Sequence, residues 1–153
     1  MSKLLVRVSL AAALLATLPS ITHAHVTVAP RLSTAGATEK YVVRVPTEGK
    51  VATVAAEIEI PEGVVVETMA VPSGWKYELK RQNDRIVAIT WTMNIPPGEF
   101  AEFAFVARNP LDKEQIVWTL RQKLADGTVT DFTRGPNGIR PGAITKLAPR
   151  PTQ

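Results

Sequence analysis

From residue 26 onward the chain is built of short runs of β-branched and aromatic residues, each broken by proline or glycine. These runs predict strands at Val26 to Val28, Lys40 to Pro46, Thr53 to Ile60, Val64 to Met69, Trp75 to Lys80, Arg85 to Met93, Phe100 to Ala107, Ile116 to Lys123 and Val129 to Thr133. Between them stand turn formers such as Pro61-Glu62-Gly63, Pro72-Ser73-Gly74, Pro96-Pro97-Gly98 and Asp126-Gly127. About nine short strands at this spacing predict an all-β chain folded as a single β-sandwich. In the run from Lys40, Tyr41, Val43 and Val45 share one face and Val42 and Arg44 the other. Between Phe100 and Phe105 the bulky side chains change face once, which predicts a bulge or a strand end. Trp75, Trp91, Trp118, Phe103, Phe105 and Met93 lie in strand patterns and are expected in the core, and Met69 is expected to pack at a strand end.

The first 24 residues follow a different rule. Lys3 and Arg7 precede an apolar run from Val8 to Leu18, and Thr22 and Ala24 place small residues three and one positions before a cut ahead of His25. This is the pattern of a secretory signal peptide. The apolar run is shorter than the ~20 residues that span a bilayer, and Pro19 ends it. The expected organisation is therefore a removed signal over 1–24, one domain over 25–146 and a proline-rich tail over 147–153, exported to the periplasm or medium without a membrane anchor in the mature chain.

Composition narrows the function classes. With the signal gone, 16 basic residues face 14 acidic ones, and they are scattered rather than gathered into a basic stripe, which argues against nucleic acid as a partner. There is no cysteine, so no disulfide, thiolate ligand or lipid attachment is available. His23 leaves with the signal, and one histidine remains. A Ser-His-Asp hydrolase would have to use that terminal residue, and zinc lacks a ligand set. The chain reads as a non-enzyme.

That histidine has an option no internal histidine has. At a free N-terminus, the α-amine and the ring Nδ1 of His25 can close a six-membered chelate on one ion. Cu(II) stands highest in the divalent affinity order and suits imidazole and amine nitrogen. An α-amine pKa near ~8 makes the required deprotonation inexpensive at neutral pH. A carboxylate would complete the set, and Glu39 and Glu48, at the two ends of the second predicted strand, both qualify.

His25 to Pro30, Lys40 to Glu48, Ile58 to Gly63, Gly74 to Tyr77, Ile89 to Trp91, Pro97 to Phe103 and Leu124 to Gly127 together resemble, in order, the YcnI-like family of exported copper-binding proteins. The resemblance implies a cupredoxin- or immunoglobulin-like sandwich that binds Cu(II) through the amine and imidazole of its N-terminal histidine plus a glutamate. It matches that glutamate to Glu48 first and Glu39 second. Where the family usually carries a tryptophan after the Asp-Gly hairpin, near the metal, this chain has Phe132, which lacks the indole N–H. The C-terminal membrane helix of many relatives is not seen, so the resemblance implies a freely diffusing copper chaperone or homeostasis factor with a copper-handling protein partner. The alternatives are a non-metal interaction domain and a copper-dependent oxidative enzyme; the latter needs a second histidine that the mature chain lacks.

Overall fold

The computed structural model describes residues 26–71, 74–132 and 143–151, so residues 1–24, expected from the sequence to be a signal, and His25 lie outside the described residues. Eleven strands are present among them: β1 (Thr27–Ala29), β2 (Leu32–Thr34), β3 (Thr38–Pro46), β4 (Thr53–Glu59), β5 (Val65–Met69), β6 (Lys76–Gln82), β7 (Arg85–Ile95), β8 (Phe100–Arg108), β9 (Gln115–Leu124), β10 (Val129–Phe132) and β11 (Ala143–Ala148). They form two sheets, one in the order β1-β3-β8-β5 and one in the order β2-β11-β9-β4-β7-β6 with β10 added along β9. All pairings are antiparallel except that of β2 with β11. The predicted all-β sandwich is what the chain forms.

The alternation read from the sequence fills the space between the sheets. Tyr41, Val43 and Val45 from β3 meet Phe103 and Phe105 from β8, Ile89 and Trp91 from β7, Ile58 from β4 and Ile116, Trp118 and Leu120 from β9, all buried. Aromatic rings make the inter-sheet contacts. Trp91 stacks on Phe103 at 4.7 Å between centroids, and Trp118 meets Tyr41 edge-on at 4.9 Å. Each such pair adds roughly 0.5–1.5 kcal/mol to its area burial. Trp75 and Met69 pack on this core while partly buried.

One open alternative is resolved, and two details differ from the sequence reading. The change of face after Phe100 is a strand end and no bulge with β3: the β3–β8 register runs unbroken from Thr38↔Arg108 to Pro46↔Phe100, and Phe100 lies outside, its ring under the Arg44 guanidinium at 4.7 Å. Strands β2 and β11 are additional to the nine expected. β11 also carries order to Ala148, two residues into the segment assigned to the tail. The cause is burial: Leu147 is in the core, and its N–H donates to the Glu114 carbonyl at 2.8 Å. The predicted Asp126-Gly127 hairpin joins β9 to β10, with Gly127 at φ 88°, a conformation open to glycine.

A buried polar chain fixes the end of the sandwich where β3 begins. Tyr41 donates to Asn109 Oδ1 at 2.6 Å, the Asn109 amide donates to Ser33 Oγ at 3.0 Å and to the Thr34 carbonyl at 2.9 Å, and Ser33 donates to Glu39 Oε2 at 2.7 Å. Burial first, and the charge of Glu39 second, push the Tyr41 phenol up to about 12. The unfolded phenol ionises near ~10, so this contribution to stability is intact below that pH and is lost as pH rises toward about 12. Tyr41→Phe leaves Asn109 Oδ1 without its donor and is expected to cost about 1–3 kcal/mol at neutral pH. Denaturant unfolding from pH 8 upward should show the gap between the two proteins narrowing above ~10; a gap constant to high pH would contradict this account of Tyr41.

Candidate functional site

At the opposite end, β3 runs out where β1 starts. The register pairs Thr27 with Arg44, Val28 with Val43 and Ala29 with Val42, so the chain before Thr27 is attached at the Val45-Pro46 end of β3. Val26 is buried there. Beyond Pro46 come Thr47, also buried, and Glu48, half-buried with its Oε1 shielded from solvent. Gly49 follows at φ 83°, which turns the chain away from the sheet.

Thr47 is held on every polar atom. Its N–H donates to the Glu99 carbonyl at 2.8 Å and its carbonyl accepts from Gly98 N–H at 3.0 Å. Its hydroxyl shares a 2.7 Å hydrogen bond with that of Thr53 and lies 3.0 Å from the Ile95 carbonyl. The Gln122 amide nitrogen donates to the Pro46 carbonyl at 2.8 Å and to Thr53 Oγ1 at 2.6 Å. A hydroxyl carries one proton. The consistent order is therefore Gln122 to Thr53, Thr53 to Thr47 and Thr47 to Ile95, with the second amide proton on Pro46.

Local structure puts these polar groups inside. Strict alternation along β4 would send Thr53 to the face opposite Ala56 and Ile58. A bulge shifts the register between Thr53 and Ala55 against both β7 and β9, and Thr53 thereby joins Ala56 and Ile58 on the buried face. On β9, Gln122 follows Ile116, Trp118 and Leu120 on the inward face. The sequence reading missed both residues. A polar side chain at the next inward step after Leu120 was the available signal for Gln122, whereas the bulge left no mark in the sequence.

The two candidate carboxylates are thus separated. Glu39 opens β3 and belongs to the Tyr41 network at the other end, roughly 24 Å from Pro46 at ~3.4 Å per residue. Phe132 is buried in the core on β10, opposite Leu120, while Gln122 pairs with Thr130 two residues nearer the Glu48 end. The structure brings Glu48 and the start of β1 to one end of the sandwich, Glu39 to the other, and Phe132 inside between the sheets.

The outer face of the larger sheet carries the other cluster of charge. The Arg121 guanidinium lies 2.6 Å from Glu57, 2.6 Å from Glu59 and 3.0 Å from Asp131, and Glu57 first, with Glu59, holds it more firmly protonated than usual. Among the described residues no group of three or more His, Cys, Asp or Glu side chains is arranged to hold an ion, and no helix is long and apolar enough to cross a membrane.

The model of the family described as Domain of unknown function (DUF1775) matches residues 25–149. The chain belongs to this YcnI-like family. A YcnI-like relative, the copper-binding protein CutI of Bacillus subtilis, is 32% identical over 127 residues, which are 81% of this chain and 62% of CutI. The chain therefore spans less than two thirds of that relative's length. Among solved structures, an uncharacterized protein from Nocardia farcinica with an immunoglobulin-like fold is 28% identical, superposes with a TM-score of 0.69, and is matched over 81% of this chain and 98% of its own. The YcnI-like chain thus has an immunoglobulin-like sandwich.

The Arg121 cluster carries its own test. Arg121→Met keeps the apolar stem but leaves Glu57, Glu59 and Asp131 around an uncharged group. All four side chains are partly exposed, so the expected loss is only about 1 kcal/mol at neutral pH and low salt. It should shrink in about 1 M NaCl, where charges are screened within ~3 Å. A loss unchanged by salt would show that packing, and not charge, is what Arg121 contributes.

Proposed function

We propose that this chain is an exported copper-binding protein, cut after Ala24, that holds one Cu(II) at the β1 end of the sandwich through the α-amine and imidazole of His25 and the carboxylate of Glu48. The observation that carries this reading is the β1–β3 register. It places Val26, the first described residue, at the Val45-Pro46 end of β3, on the side of Glu48 and away from Glu39, and His25 precedes Val26 in the chain. The family membership and the printed name of the Bacillus relative support copper as the ion.

The donor set fits the ion. Amine and imidazole nitrogens suit Cu(II), and a carboxylate offsets part of its charge. Glu48 Oε1 is already sheltered from water and follows a residue fixed on all its polar atoms, so it loses little freedom on binding. A site on the rim of a sandwich, with few protein ligands, leaves positions from which a second copper-handling protein can take the ion. This favours a role as chaperone or homeostasis factor over catalysis.

Titration of the protein beginning at His25 with Cu(II), followed by electron paramagnetic resonance, should give an axial spectrum with nitrogen ligands at one ion per chain. His25→Ala should abolish that signal. Glu48→Gln should weaken binding by about tenfold or more, equivalent to ~1.4 kcal/mol, with the melting point of the metal-free protein little changed. Glu39→Gln should leave affinity at the wild-type value. Equal affinity in His25→Ala would refute the site, and a loss confined to Glu39→Gln would move the carboxylate to the other end of β3.

A further inference from the structure

Three polar side chains, Thr47, Thr53 and Gln122, lie on the inward side of a sandwich that is otherwise apolar at this level, flanked by Val26, Val45, Ala56 and Ile95. Valine has the shape of threonine, so the fold could fill positions 47 and 53 with apolar groups of equal size. What the polar groups add is direction. They connect β9 and β4 to Pro46 at the end of β3, to Thr47 after it and to the carbonyl of Ile95 on β7, and three of the four bonds involve the two residues before Glu48.

Resting on the copper reading above, we propose that Thr53 and Gln122 are positioning residues that set the Glu48 carboxylate for the metal. Neither reaches the ion. Gln122 holds the Pro46 carbonyl from one side, Thr53 holds the Thr47 hydroxyl from below, and the Glu99 and Gly98 backbone hold the peptide groups of Thr47. The backbone entering Glu48 is then fixed, and Gly49 lets the chain leave without pulling on it. The β4 bulge, which turns Thr53 inward, becomes part of the site in this account.

The test compares Thr53→Ser, which keeps the hydroxyl and loses a methyl, with Thr53→Val, which keeps the shape and loses the hydroxyl. Two readouts are followed: the 13C resonance of the Glu48 carboxyl in the metal-free protein, and Cu(II) affinity with its paramagnetic resonance spectrum in the protein beginning at His25. Thr53→Ser should melt lower than wild type yet keep the Glu48 resonance, the spectrum and the affinity. Thr53→Val should shift the Glu48 resonance, alter the spectrum and weaken copper binding by about fivefold or more. If Thr53→Val does not fold, Gln122→Met carries the same readouts with the same expectation. Wild-type resonance and affinity in the hydroxyl-free or amide-free variant would overturn the proposal. Wild-type protein that fails to bind copper, with the Glu48 resonance still moved by Thr53→Val and not by Thr53→Ser, would remove the copper reading and leave the positioning role standing.

Discussion

The antiparallel pairing of β1 with β3 is the constraint on which the rest of the site depends. Three residue pairs fix which end of β3 Val26 approaches, and antiparallel geometry allows one answer: the end that runs into Thr47 and Glu48. Reversing the direction of β1 would bring Val26 to the Glu39 end. Val26 and Val28 resist any slip of the pairing, because both are buried, and moving the register by one residue would carry them to the solvent face.

Both ends of β3 are tied down by buried hydrogen-bond networks, and they do different work. At the Glu39 end, the Tyr41-Asn109-Ser33 chain joins β3 to the residue after β8 and to β2, and Glu39 is consumed by it as the final acceptor. At the other end, the Gln122-Thr53-Thr47 chain closes on the backbone carbonyls of Pro46 and Ile95. Unmade buried hydrogen bonds cost about 1–3 kcal/mol each, so each network is held complete or the sandwich opens there.

The sequence made most of this fold legible, because alternation of apolar residues with a period of two is strong in β3, β7, β8 and β9 and the turns carry glycine at positive φ. Strands β2 and β11 were not legible, since Leu32-Ser33-Thr34 has no apolar stripe and β11 is a short pattern next to prolines, and both exist through pairing with each other and, for β11, with β9. The histidine and the two glutamates were visible as chemistry. The choice between the glutamates, as a reading of the residues alone, stayed open, and the β1–β3 register is the observation that favours Glu48 in the proposed site. Thr53 and Gln122 were hidden for a physical reason: a bulge resets the alternation at Thr53, and an inward glutamine has a meaning only once its partners on β3 and β4 are known.

The proposal that a free N-terminal amine is a ligand is tested most directly by preparing the chain from His25 to Gln153 with and without an acetyl group on that amine. Acetylation leaves the imidazole, Glu48 and the whole sandwich in place and removes one donor. The account predicts that the acetylated protein loses the axial Cu(II) spectrum and most of its affinity while melting at the same temperature when metal-free. The same spectrum and affinity in both proteins would contradict it.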